Sequence, residues 1–530
     1  MTSEWPTRPQ SSVDDRENQD LSMTTTSNQV SAPGGAETRP IPAPSKMKAG
    51  NAAGKGGGGS RIAFVVTTAL LVAAAIGMFL PVTPGGIGAC ALVMMLLLIF
   101  LRIPIGFAMM VPSLLGLYAL RGLPVVEGAL STMAYDKVAS WTLSVIPMFV
   151  LMGLLMWKSG LTESLYGAAR LWLGKLPGGL AIGTNLAGAG LASVSGSTVG
   201  TTYALARIGI PEMLAAGYDK RLALGSVIVA GLPGQLIPPS IMLVIYAGIV
   251  EVPVGPQLLA GFAPGVLVAL VMTVGILIFA TVWTRRGTGS MISREKVTWA
   301  QRFRSLGPAW PVPAIIFIVL GGMLSGVFTA TEAGAGAALV AIIVTMILMR
   351  KRNAFRALSD SAVGTISSVG AIFLMIIGVE MLSRLLTLTG ISNGFAMWVE
   401  SLGLNRVGFL LLMMAIYIIL GTFMEPLPMM LLTIPILLPT IESLDISLLW
   451  FGVFVVFMGE LAILTPPVGI LSFIIHSIVK DPAVNRGQKI SLNDVFNATW
   501  WFMPFAILFT ILLILFPEIV TFLPDLSVQR

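Results

Sequence analysis

The sequence predicts an all-α integral membrane protein built as an inverted repeat, each half carrying a re-entrant hairpin and a Pro-broken helix. Three observations carry that prediction. Apolar runs of about twenty residues recur from Arg61 to the C-terminus. The basic residues between those runs alternate between dense and sparse clusters. Two Gly- or hydroxyl-rich turns are each followed, about forty residues later, by a pair of adjacent prolines.

The apolar runs set the class. Of 530 residues, 55% are hydrophobic and only 11% are charged, with a mean hydropathy of +0.89. A soluble domain carries roughly 25% charged residues, so most of this surface cannot face water. A run of twenty residues is long enough to cross a ~30 Å hydrocarbon core. Spanning segments are expected near 62–80, 86–101, 103–120, 143–157, 222–250, 258–283, 308–329, 331–349, 362–385, 450–479 and 499–523. Two further apolar stretches, 180–215 and 406–440, read as hairpins that enter and return. Residues 1–60 differ in kind: they are rich in Ser, Thr, Pro, Gly and Gln, show no hydrophobic period, and read as a disordered hydrophilic tail.

The basic residues test this count. The formal net charge of +7 does not point to nucleic acid, because Lys and Arg sit in short clusters between apolar runs, as in cytoplasmic loops. With the N-terminus cytoplasmic, the loops on that side hold Arg102, Lys158, Arg170, Lys175, Lys220, Arg221, the cluster Arg285 to Arg304, Arg350 to Arg356, Lys480, Arg486 and Lys489. The opposite loops hold Arg121, Lys137, Arg384, Arg406 and Arg530. One miscounted segment would scramble this bias.

Several functions are excluded by what the chain lacks. A single cysteine, Cys90, permits no intramolecular disulfide and no Cys-rich metal site; it reads as a small residue at a helix interface. With one histidine, no H-E-x-x-H and no Walker A motif, neither an intramembrane enzyme nor direct use of ATP is expected.

Beyond an extra helix at 61–82, the chain divides near Arg304 into two repeats, 83–304 and 305–530. Each reads as three spans, an amphipathic connector (160–172 and 386–401), a hairpin, a broken helix and a last span. The first half begins outside and the second inside, the inverted arrangement common in secondary transporters. The first hairpin carries Ser195, Gly196, Ser197 and Thr198, and its broken-helix partner carries Pro238, Pro239 and Ser240. The second carries Gly421, Thr422 and Glu425, followed by Thr465, Pro466, Pro467 and Gly469. Adjacent prolines remove two backbone donors and force the helix open. Opened backbone is tolerated in a membrane only where it is buried or lines a wet cavity. Its carbonyls and nearby hydroxyls suit Na+, and half-helix N-termini suit an anion.

These residues resemble a known family. Leu101 to Ala108, the Ser-Gly-Ser-Thr segment with Ile210-Pro211-Glu212-Met213 and Gly217-Tyr218-Asp219, residues 236–248, Phe328 to Gly334, Pro435 to Pro439, and 464–469 resemble the large permease subunit of TRAP transporters, the DctM-like family. The resemblance covers roughly 85–523. It implies the ion-transporter superfamily and an elevator mechanism. It also implies a Na+-coupled importer of a small organic anion, a carboxylate for preference, in the bacterial inner membrane. The implied partners are a periplasmic solute-binding protein and a small four-helix membrane subunit, with lipid around them, no nucleic acid and no cofactor beyond the coupling ion. The alternative is a stand-alone Na+- or H+-coupled organic-anion transporter of the same superfamily.

Carried onto this chain, the implied ion and substrate residues are these same tip and break residues. Two positions depart from the family pattern: Glu425 stands where Asp is usual, and Leu471 where Asn is frequent. The helix at 61–82 resembles the linking helix of versions fused to the small subunit. Among single residues, Glu425 is expected either to bind ion or substrate or to cap opened backbone. Glu460 is expected to orient the Thr465 loop, Glu332 and Glu380 to pair helices, and His476 to be a satisfied interfacial residue.

Overall fold

Apolar runs punctuated by Gly, Pro and hydroxyl caps fold here as helices whose ends fall at those residues. The structure is a computed structural model that describes residues 59–285, 297–350, 353–466 and 469–528, so the tail to residue 58 and Pro467 lie outside the described residues. The chain divides at Ile62/Ala63, and both repeats lie in the second unit, Ala63–Arg530.

After the first helix, Gly59–Gly77, the two halves present the same order of elements. In the first half come Pro84–Phe100, Ile105–Arg121 and Val145–Lys158, then the connector Leu161–Leu173. The helix pair Gly179–Ser195 and Thr198–Ala215 follows, then the interrupted Lys220–Val229 and Ile241–Val250, and finally Val254–Arg285. The second half repeats this with Pro311–Leu324, Ala330–Leu348 and Ala354–Thr389, and the connector Ile391–Ser401. Then come the pair Arg406–Gly421 and Pro426–Ser443, the interrupted Leu448–Ala462 and Ile470–Ile478, and Leu492–Leu515.

Among the described residues, five helices are long and apolar enough to cross a membrane, or up to eight if each bent pair is one span. Other apolar segments fall short of that length because each is cut by a break or a cap, as at Ile241–Val250 and Leu448–Ala462. Outward-facing positions carry exposed Phe317, Phe355 and Ile366, the inversion of a water-soluble surface that lipid contact requires. The chain is a multi-pass membrane protein.

Four features differ from the sequence reading. The helix expected at 362–385 runs from Ala354 to Thr389 because no breaker lies between Asn353 and Gly390, both left-handed caps. The last span begins at Leu492, where Ser491 and Asp494 form a capping box, and a separate helix, Glu518–Val528, follows it. The stretch 122–144 is helical in short pieces, Leu123–Gly128 and Ala134–Val138 among them, too short for a spanning periodicity to register. Pro426–Ser443, read as one arm of a returning hairpin, is itself of spanning length at 18 residues.

The halves are interleaved reciprocally. The second spanning helix of the first half, Ile105–Arg121, packs on the third of the second half, Ala354–Thr389. Conversely, the third of the first half, Val145–Lys158, packs on the second of the second half, Ala330–Leu348. The interrupted helices do the same: Lys220–Val229 lies on the last span of the second half, and Leu448–Ala462 on the last span of the first.

In lipid no hydrophobic drive holds helices together, so close approach through small residues must. At the first crossing two glycines face one another. A Cβ on Gly378 would lie 2.8 Å from the carbonyl oxygen of Gly106, and one on Gly106 would lie 2.7 Å from Leu374 Cγ. Gly378→Ala is therefore expected to force the helices apart at a cost of about 1–3 kcal/mol. Gly370→Ala, on the same helix with nothing within 4 Å of the added atom, is the control and should be neutral or slightly stabilising. Thermal unfolding of the two purified variants checks this; equal midpoints would remove the close-packing argument.

Candidate functional site

The first tip is built for a tight reversal. Gly196 has φ of +62°, a left-handed conformation that costs glycine little, and a Cβ there would meet Ile241 Cδ1 at 2.7 Å. Ser197 is extended and caps the return helix, its Oγ accepting from Gly200 N at 3.1 Å. Ser195 Oγ and Thr201 Oγ1 are hydrogen-bonded at 3.2 Å. Both tip serines are half-buried, whereas Thr198 is fully buried.

The first break receives this tip directly. Added Cβ atoms at Gly231 and Gly234 would lie 2.5 Å from Thr198 Cγ2 and 2.2 Å from Ala192 Cβ, so only glycine lets the hairpin lie so close. Beyond Pro238 and Pro239, Ser240 caps the second half of the broken helix. Its hydroxyl donates to the Gln235 carbonyl and accepts from Leu243 N at 3.3 Å. The backbone released by the prolines is satisfied locally.

The second tip and break repeat the logic with different residues. A Cβ on Gly421 would sit 1.8 Å from Ala462 Cβ, and one on Gly459 would lie 2.9 Å from Pro426 Cβ. Thr422 Oγ1 donates to Ile419 O at 2.7 Å, and Thr465 Oγ1 donates to Leu461 O at 3.0 Å. Each hydroxyl oxygen retains lone pairs. Pro466 is half-buried, and Gly469, with φ of +34°, opens the helix Ile470–Ile478. Glu425 stands at the N-cap of Pro426–Ser443, but its side chain makes no capping hydrogen bond and is exposed. The capping role is absent. Leu471 is buried, and its N–H donates to Ile463 O at 3.4 Å across the break.

A chain of three side chains joins the two halves. Thr198 Oγ1 donates to Glu460 Oε2 at 2.6 Å, and Gln235 Nε2 donates to Thr198 Oγ1 at 3.3 Å. Glu460 is 2% exposed. Gln235 Oε1 is buried with no hydrogen-bond partner. Glu460 therefore does not orient the Thr465 loop, as the sequence suggested; it reaches the tip of the first hairpin. It also stands beside Gly459 and two residues before Ala462, the positions that touch the second tip. The turn 459–462 thus contacts both tips. Gln235 escaped the sequence reading, although it is the sole long polar side chain between Gly231 and Ser240.

The remaining acids are structural. Glu332 closes a capping box with Thr329, Glu212 pairs with Arg170 at 3.3 Å, and Glu380 lies 3.3 Å from Lys137. His476 Nδ1 is buried with no partner, so the histidine is not the satisfied residue expected.

Comparison with known proteins adds an independent line. Residues 92–521 match the family model for the DctM component of the tripartite ATP-independent periplasmic transporters. A C4-dicarboxylate TRAP transporter large permease protein of Pseudomonas aeruginosa is 33% identical over 402 residues, 75% of this chain and 88% of that protein. A sialic acid TRAP transporter permease of Haemophilus influenzae is 27% identical, covering 83% and 68%. An ectoine TRAP transporter large permease of Halomonas elongata is 29% identical, covering 80% and 96%. Among solved structures, the YdaH transporter of Alcanivorax borkumensis superposes with a TM-score of 0.56 at 14% identity, over 74% of this chain and 89% of that one; this likeness is one of fold.

Hydrogen bonds to a charged group contribute roughly 1.5–3 kcal/mol, and side chains in one network couple by about 0.5–3 kcal/mol. Thr198→Val should lower thermal stability, and should lower it less in a Glu460→Gln background, where the bond is no longer to a charged acceptor. A double-mutant cycle on unfolding midpoints tests this. Strict additivity would mean that the contact carries no energy.

Proposed function

The chain belongs to the DctM family of tripartite ATP-independent periplasmic transporters, and from that premise we propose that it is the large membrane subunit of a binding-protein-dependent secondary transporter that imports a small organic anion by Na+ symport. One observation carries the coupling part of the reading. Thr198, Gln235 and Glu460 are linked in a buried place by a hydroxyl-to-carboxylate and an amide-to-hydroxyl hydrogen bond, and the Gln235 amide oxygen is buried with no donor among the described residues. Hydroxyl, carboxylate and amide oxygens are ligands that suit a hard monovalent cation. Ser195, Ser197 and the Thr422 and Thr465 hydroxyls lie at the same tips and breaks and supply further lone pairs. Helix N-termini at Thr198, Ile241 and Ile470 offer a partial positive charge to an anion.

The anion itself is read from relatives. Two of them are named for C4-dicarboxylates and for sialic acid, which are carboxylates. Membership of the family implies a small membrane subunit and a periplasmic binding protein as partners, and a place in the bacterial inner membrane; the N-terminus faces the cytoplasm on the distribution of Lys and Arg. The reciprocal packing of the halves is what an inverted repeat of 83–304 and 305–530 produces. The tip-to-break contacts through Gly231, Gly234, Gly421 and Gly459 favour hairpins and broken helices moving together, the body that an elevator needs. The Gly and Pro residues of the outer helices, with the two connectors, then supply the fixed scaffold.

Two outcomes are expected of liposomes holding this chain, its small subunit and a loaded binding protein. Uptake should depend on Na+ with an order above one. Ser197→Ala, Thr465→Ala or Gln235→Leu should raise the Na+ concentration for half-maximal uptake. Uptake indifferent to exchange of Na+ for K+, but driven by a pH gradient, would defeat Na+ symport and turn attention to His476 and Glu425 as proton carriers. Separately, the chain reconstituted alone should transport little. Robust uptake with neither partner added would favour the stand-alone Na+- or H+-coupled carrier.

A further inference from the structure

The short helix Trp299–Leu306, between the two halves, has an unusual environment. None of its residues is buried, yet its start is fixed by a capping box of Thr298 and Gln301, and it is bent by 55° from the apolar helix Pro311–Leu324 that follows. It therefore does not extend that helix. A helix that buries nothing and yet keeps a fixed cap and direction needs a surface to lie on.

Part of that surface is the first connector. Trp172 meets Trp299 and Phe303 edge to face, at 6.3 and 5.6 Å between ring centroids, and its Nε1 donates to Arg302 O at 3.1 Å. The rest of the aromatic row is uncovered. Trp299 and Phe303 remain 65% and 63% exposed, with Leu306 behind them; at spacings of four and three residues these three fall on one face of the helix, and exposed Trp310 stands at the cap of the next helix.

The charge beside this row is of one sign. The guanidinium of Arg302 lies 4.9 Å above the Trp299 ring, and its Nε is buried with no hydrogen-bond acceptor. Arg304 is exposed. Among the described residues no carboxylate pairs with either arginine. The sequence just before them holds Arg285, Arg286, Arg294 and Lys296 against one acid, Glu295. An aromatic face with unpaired arginines at its edge is complementary to an acyl boundary topped by negative headgroups.

We propose that Trp299–Leu306, seated on Trp172, is a docking surface for anionic phospholipid. The aromatic row enters the acyl boundary, Arg302 at its edge holds the phosphate, and Arg304, on the other side of the helix, adds positive charge towards the same leaflet. The surface sits in the leaflet faced by the basic loop 285–304. Arg302 is placed at the edge of the row to offer its guanidinium to a phosphate oxygen, while its stem stays on Trp299. The inference rests on the chain spanning a membrane, and is independent of which ion or solute it carries.

The test uses the full chain purified in detergent, titrated with phosphatidylglycerol or with phosphatidylcholine, reading the unfolding midpoint. Phosphatidylglycerol should raise the midpoint of the wild type more than phosphatidylcholine does. In the double variant Arg302→Gln/Arg304→Gln the phosphatidylglycerol concentration for half the effect should rise roughly tenfold or more, since each arginine near an anionic surface contributes on the order of a fivefold gain. Equal effects of the two lipids, or an unchanged titration in the double variant, would overturn the proposal. A second measurement avoids the arginine variants. A spin label at Phe303→Cys, in a Cys90→Ser background in phosphatidylglycerol liposomes, should be more accessible to oxygen than to a water-soluble nickel complex. The opposite order would place the face in water and reject the docking surface.

Discussion

A helix that stops inside a membrane leaves donors and acceptors that no water can reach, and every one must be satisfied by the chain itself. The two breaks here meet that constraint with very few groups. At the first, the Ser240 hydroxyl bridges the Gln235 carbonyl and Leu243 N–H. At the second, the 463–472 segment closes on itself through the N–H groups of Gly469, Leu471 and Ser472. Both solutions need the hairpin tips pressed onto the breaks, because open space beside them would leave polar backbone facing lipid. Glycine at 231, 234, 421 and 459 is what allows that pressure. The local chemistry of the prolines thus dictates the packing of whole helices.

The same constraint explains one of the bonds that cross between the halves. Thr198 belongs to the first half and Glu460 to the second, 262 residues apart. Both are buried within the packed helices. Their bond ties the first hairpin to the second broken helix, while Gly459 and Ala462 hold the second hairpin to that same turn. The turn 459–462 is thus in contact with both tips. The helices around them, Ile105–Arg121 against Ala354–Thr389 and Val145–Lys158 against Ala330–Leu348, are knitted separately through their own glycines.

Much of this was legible in the sequence because hydrophobic length and proline act locally. The connectors expected at 160–172 and 386–401 lie within a residue or two of Leu161–Leu173, and within five of Ile391–Ser401. The tips and breaks fall where Ser-Gly-Ser-Thr and the paired prolines are written. What sequence could not show is which distant polar residues meet. Glu460 lies close to Thr465 along the chain, so a local partner was the natural expectation, but the helix Leu448–Ala462 turns its carboxylate towards another element. Gln235 was hidden for the opposite reason: among glycines and prolines it looks like loop. The helix Trp299–Leu306 is shorter than the window in which an amphipathic period is recognised. Glu425, which looked functional from its place in the motif, is exposed and bonds nothing as a cap.

The environment of Glu460 also bears on what must visit it. A carboxylate taken out of water costs several kcal/mol unless its charge is answered, and one hydroxyl donor answers little of that. Two visitors would serve, a proton or a cation. A proton placed on Glu460 removes the charge and adds a single donor, while Thr198 Oγ1 already accepts from Gln235 Nε2. A cation among them answers the charge and several oxygens at once, and it draws the first hairpin, the first break and the second broken helix onto one centre. An ion held in this way would be bound by both halves together, so its arrival and the closure of the two tips become a single event. On the proposed reading, coupling would follow because Thr198 and Glu460 belong to different halves.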